Sequence, residues 1–145
     1  MKVMSRKLYL GVSGGLLLLI GGGLLFAPQA FHATNGIRLS DDPSLLSEIR
    51  APGGLLLACA AMILSGILCR EQQEPALRLN VVVYGAFGLA RLWGMMFDGM
   101  PSRGIVGAMI IELIVAGIGL GLFFDGRRVS DVGESAETSL PGTAG

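Results

Sequence analysis

Apolar residues fall into four long runs separated by short polar stretches, and run length rather than periodicity carries the structural signal. The first run, Leu8 to Ala27, holds no charge and is about 20 residues long, enough for a helix to cross a hydrocarbon core of about 30 Å. Comparable runs predict further spans over about 51–69, 77–97 and 104–124. The polar patch Arg70-Glu71-Gln72-Gln73-Glu74-Pro75 divides the second from the third, and Asp98-Gly99-Met100-Pro101-Ser102-Arg103 divides the third from the fourth. Backbone inside a bilayer must bond to itself, so each run is expected to be helical. Connections this short place consecutive helices side by side and antiparallel. The expected fold is an all-α membrane protein, an antiparallel four-helix transmembrane bundle in one domain at 1–127, with a disordered polar tail at 128–145.

The ends of the runs add detail. The opening Met1-Lys2-Val3-Met4-Ser5-Arg6-Lys7 resembles the basic start of a signal peptide, but the apolar stretch after it is longer than about 15 residues and no small-residue cleavage site follows Pro28. An uncleaved first helix is expected. From Pro28 to Ser47 the chain is polar, with His32, Asn35, Arg38, Asp41 and Asp42 among interleaved apolar residues, and reads as an ordered loop at the interface. Asp42-Pro43 suits a helix N-cap and first helical position, giving a short turn before the second span. Pro52 disfavours helical backbone at Ala51 and is expected to bend the start of that span.

Composition supports a membrane setting. Charged residues make up 15 % of the 145, and 23 are glycine. Soluble domains average about 25 % charged and about 7 % glycine. Helices in lipid gain little from apolar contact with one another, so small residues must let their backbones approach. Gly11, Gly15 and Gly22 form a candidate stripe on the first span, Gly54, Ala58, Ala61 and Ser65 on the second, and Gly117 and Gly121 on the fourth. Lys2, Arg6, Lys7, Arg70, Arg78, Arg127 and Arg128 belong to one side of the membrane, and Arg38, Arg50 and Arg103 to the other. The excess of positive charge places both termini in the cytoplasm. Tyr9, Tyr84, Phe123 and Phe124 are expected near the inner boundary, and Phe26, Trp93 and Phe97 near the outer one.

Charges inside the spans point to a site. Arg91 lies two turns, about 10 Å, from the Asp98 end of the third span, and Glu112 about 12 Å from the start of the fourth. The two sit at matching depth. A charge in a membrane helix costs roughly 2.5–3.5 kcal/mol, so an arginine and a carboxylate at one level are expected to face inward and pair. Glu48 and Arg50, at the outer end of the second span, and Asp98 complete a candidate cluster of Glu48, Arg50, Arg91, Asp98 and Glu112. Three readings stay open: a network that fixes helix register, a site for a polar head group reached from the outer face, and a proton path.

Other chemistry is not indicated. Cys59 and Cys69, about 15 Å apart along one helix, are too distant for a disulfide and read as packing residues. His32 is a lone interfacial histidine, and no nucleophile triad, phosphate loop or metal-ligand set is legible, so no catalytic residue, metal or cofactor is expected. A net charge of zero gives no reason to expect nucleic acid as a partner.

The string Ser47-Glu48-Ile49-Arg50-Ala51-Pro52-Gly53-Gly54, a glycine- and leucine-rich helix after it, an arginine late in the third span and a glutamate early in the fourth resemble a bacterial family of four-helix membrane proteins of unknown function, distantly like DoxX-type proteins. The likeness covers about 8–124 and rests mainly on that string; members often carry an aromatic residue where this chain has Pro52. It implies a multi-pass protein of the bacterial inner membrane with Glu48, Arg50, Arg91 and Glu112 as site positions. DoxX-type proteins are associated with quinone-linked oxidation in larger assemblies. The expectation is therefore a binding or accessory module, not an enzyme in its own right, with a lipid, quinone or other amphipathic small molecule as ligand and other membrane subunits as further partners. The alternatives are a purely structural subunit of a membrane complex and a small transporter or oxidoreductase subunit.

Overall fold

In the computed structural model every element among the described residues is helical; residues 2–138 are described, with side chains for 4–125. The elements are α1 (Lys2–Phe26), α2 (Pro28–Ala33), α3 (Pro43–Leu68), α4 (Gln73–Asp98) and α5 (Arg103–Thr138), with a single 3-10 turn at Arg70–Gln72 before α4. Helices α1, α3, α4 and α5 are long and apolar enough to cross a membrane. The last seven residues of the polar tail expected over 128–145 lie outside the described residues, and the α5 backbone is helical to Thr138.

The 28–47 segment departs from a simple loop. Pro28 starts α2, and Gly36 at φ 77° turns the chain out of it, a left-handed conformation that glycine adopts without strain. Helix α3 begins at Pro43, well before the expected residue 51, because Asp42 caps it: its Oδ1 accepts from Ser44 N at 2.8 Å and Leu45 N at 3.0 Å. Those amides hold the Asp42 carboxyl below the usual carboxylate range, Leu45 first and Ser44 next. The helix then runs unbroken through Pro52 instead of restarting there. Glu48, whose carbonyl Pro52 cannot bond, is exposed near the end of the span, so the loss falls outside the core. Cys69 caps the far end of α3 rather than lying within it, and both cysteines are free.

Helix α1 packs chiefly on α3, and α4 chiefly on α5. Of the expected stripe on α1, Gly11 meets Ile67 of α3, but the tightest approaches are made by other glycines. Gly14 sits against Leu64 and Ile63, and Gly21 against the backbone of Gly53 and Leu57, whereas Gly15, Gly22 and Gly54 face open space. Gly117 and Gly121 of α5 also face open space; Gly119 lies under Tyr9 and Val81. The face turned inward on α1 carries Leu10, Ser13, Gly14, Leu17 and Gly21, and that on α3 Gly53, Leu56, Ala60, Ile63 and Gly66. Leu8, Leu19, Leu55, Met62, Val82 and Trp93 are among many large apolar side chains left on the outside. In water such a surface would be a liability; against lipid tails it is matched.

Polar side chains tie the pairs together at mid-height. Tyr84 is not at a boundary but in the core, its hydroxyl donating to Ser13 O at 2.6 Å. Asn80 Nδ2 donates to Ser13 Oγ, which donates to Tyr9 O at 2.8 Å, and Tyr9 donates to Val115 O of α5 at 2.7 Å. Asn80 is fully buried and Ser13 nearly so. Uncharged polar groups inside a span bond across helices because lipid offers no alternative. Arg6 Nη2 donates to Leu122 O at 2.8 Å, joining α1 to α5 at the end that carries the N-terminus.

Candidate functional site

The short α4–α5 connection, turned by Gly99 at φ 96°, sets Arg91 and Glu112 at one level on facing helices. Arg91 Nε donates to both carboxylate oxygens, at 3.0 Å to Oε2 and 3.1 Å to Oε1. Glu112 is buried, its side chain 8 % exposed, while that of Arg91 is 33 % exposed. The ion pair therefore has a dry end and an open one. Gly88, one turn from Arg91, lets Leu113 of α5 pack against α4 in the space a side chain there would occupy.

At the open end lies a cavity of about 230 Å³ between the α1/α3 and α4/α5 pairs. Leu17, Ile20 and Leu24 of α1, Pro52 and Leu56 of α3, Val83, Tyr84 and Phe87 of α4 and Ile105 of α5 form its walls, with Arg91 and Glu112 as the charged groups. Phe31 and His32 of α2, with Asn35 and Ile37 after it, complete the lining. His32 Nδ1 lies 2.9 Å from Pro28 O. A carbonyl only accepts, so Nδ1 carries the proton in that bond, and in the Nδ1–H tautomer Nε2 holds a lone pair.

Of the five residues expected to cluster, the structure brings together Arg91 and Glu112. Glu48, Arg50 and Asp98 are exposed, and among the described residues no ion pair links them to the other two. They stand near the helix ends, where water can solvate them, and gain little from converging. In their place the site holds Tyr84, expected near the inner boundary, and His32 and Asn35, expected only as residues of the interfacial loop. The signal for Tyr84 was present, since it shares a helical face with Gly88 and Arg91. For α2 there was none, because only the fold shows that the segment covers the cavity.

Fold and site together define a small multi-pass helical membrane protein with a half-buried ion pair opening on an inter-helix cavity. The chain belongs to the family described as Domain of unknown function (DUF4345), which matches residues 5–123. No curated protein and no solved structure matches it.

Proposed function

We propose that this protein is an antiparallel four-span bundle of the bacterial inner membrane, with both termini in the cytoplasm, and that it binds an amphipathic molecule as a binding or accessory module. One observation carries the binding reading: the Arg91–Glu112 pair is not sealed in packed side chains but forms the charged end of a cavity whose other walls are mostly apolar. A pair needed only for register would be equally effective fully enclosed. Lipid, quinone or another amphipathic small molecule fits such a site, the quinone option resting on the distant DoxX-type likeness. Paired contacts support the antiparallel order, Gly14 with Leu64 and Gly21 with Gly53 on one side, Gly85 with Ala116 and Gly88 with Leu113 on the other. The excess of lysine and arginine at the terminal ends supports the orientation.

Native mass spectrometry of protein purified in mild detergent tests the binding. The wild type is expected to carry a small molecule that the folded Arg91→Leu/Glu112→Leu protein lacks; identical bare spectra would remove the reading. Orientation is read separately from a natural probe. In a Cys59→Ser background, exposed Cys69 is expected to resist a membrane-impermeant maleimide on intact spheroplasts and to react once the membrane is opened. A cysteine placed at Ser40 is expected to react in both. Labelling of Cys69 on intact spheroplasts would invert the topology.

A further inference from the structure

We propose that the cavity selects an uncharged glyceride-type head group, an acyl ester carbonyl with a free hydroxyl beside it, over anionic or cationic amphiphiles. The inference deepens the binding reading above and rests on it. It starts from charge balance at the pair. Both oxygens of Glu112 are taken by Nε of Arg91, so the guanidinium charge is already compensated by a buried carboxylate. An anionic head would have to compete with Glu112 at a distance where like charges repel, and a cationic head would meet Arg91. Charged residues at and beyond the helix ends on the cavity's side do not shift this balance towards anions: Arg38, Arg50 and Arg103 are offset by Asp41, Asp42, Glu48 and Asp98.

Hydrogen-bonding capacity at the site remains unused. Among the described residues nothing engages Nη1 or Nη2 of Arg91, which are donors only. They call for an uncharged oxygen acceptor, and an ester carbonyl supplies one without bringing charge. His32, with its proton fixed on Nδ1 by Pro28 O, offers Nε2 as an acceptor on the same cavity. That nitrogen calls for a hydroxyl. Donor and acceptor on one small cavity match a partly esterified glycerol, whereas a simple ketone or ester would leave His32 unused.

Size agrees with a head group rather than a whole lipid. The cavity of about 230 Å³ is below the range of roughly 300–1,000 Å³ usual for sites that enclose a drug-sized molecule. It holds the glycerol ester and the first carbons of the chain, and the apolar walls of Leu17, Ile20, Leu24 and Phe87 accept those carbons. The rest of the chain lies among lipid-facing side chains.

Four probes with one oleoyl or oleyl chain separate the possibilities: monooleoylglycerol, methyl oleate, oleate and oleylamine, titrated at pH 7.5 onto the delipidated full chain in detergent and followed by native mass spectrometry. Monooleoylglycerol is expected to bind tightest, methyl oleate about fivefold weaker for one lost hydrogen bond, and the two charged amphiphiles at least about tenfold weaker. Glu112→Gln, which keeps shape but uncovers the Arg91 charge, is expected to move oleate ahead of monooleoylglycerol. His32→Ala, checked for unchanged thermal unfolding, is expected to erase the difference between monooleoylglycerol and methyl oleate. Oleate binding the wild type as tightly as monooleoylglycerol would overturn the head-group assignment and leave the amphiphile reading standing. Absence of saturable binding by all four would overturn both.

Discussion

Gly21→Ala and Gly53→Ala are expected to weaken the α1–α3 pair by about 1–3 kcal/mol each, the usual cost of forcing extra atoms into a packed contact. A Cβ on Gly21 would lie 3.0 Å from Gly53 O, Leu56 Cβ and Leu57 N; one on Gly53 would lie 2.8 Å from Leu25 N and 2.9 Å from Leu24 Cβ. Several of these atoms are backbone, which cannot swing aside, so relief requires the helices to separate. The two glycines face each other, and once the first methyl has pushed the helices apart the second meets less resistance. The double variant is therefore expected to lose less than the sum. The neighbouring glycines provide the control. Gly22 and Gly54 have open space where a Cβ would go, and Ala at either is expected to be neutral or to stabilise by up to about 1 kcal/mol through helix propensity. Denaturant titration of the four single variants in mixed micelles reads the difference. Equal melting of Gly21→Ala and Gly22→Ala would mean that the contact face is misassigned.

That comparison isolates what the sequence could and could not convey. The four spans are legible because run length alone carries them. The rotation of each helix is not, because lipid accepts apolar side chains on the outside and so erases the contrast between inner and outer faces that a soluble helix shows. Glycine does not restore it here: Gly14-Gly15, Gly21-Gly22-Gly23 and Gly53-Gly54 offer stripes in more than one phase, and one residue of error turns a helix by about 100°. The reliable phase marker was Ser13. With Leu10, Gly14, Leu17 and Gly21 it shares the inward face, and as an uncharged polar residue deep in a span it has the strongest reason to seek a protein partner. Asn80 marks α4 in the same way.

The candidate site divides along similar lines. Arg91 and Glu112 flank a four-residue connection, Gly99 to Ser102, so counting residues from either end fixes their relative depth. Glu48 and Arg50 precede the apolar part of α3, where the cap at Asp42 extends the helix outward and carries both into the open. No counting rule links the α2 segment to α4, since that relation arises from how the two helix pairs close around the cavity. Charged residues in the sequence thus identified the pair, and tertiary packing supplied its surroundings.

Substitutions at the pair should order by what each leaves behind. Removing one partner of a fully buried ion pair costs roughly 3–5 kcal/mol, and with Arg91 a third exposed the expected losses here are nearer about 2–3 kcal/mol. Arg91→Leu is expected to be the more damaging, since it strands the carboxylate of Glu112 at 8 % exposure. Glu112→Leu leaves a long cationic side chain already a third exposed, which can extend towards the cavity mouth and water. The double leucine variant strands neither charge and replaces a polar contact by an apolar one in an apolar wall, so its stability is expected within about 1 kcal/mol of the wild type. Denaturant titration of all four proteins gives the coupling between the two positions directly. If the double variant falls by the sum of the singles, the two side chains act independently and the bifurcated Nε contact contributes nothing of its own. If it recovers stability and still loses its bound molecule, the pair is dispensable for the fold and retained for what the cavity holds.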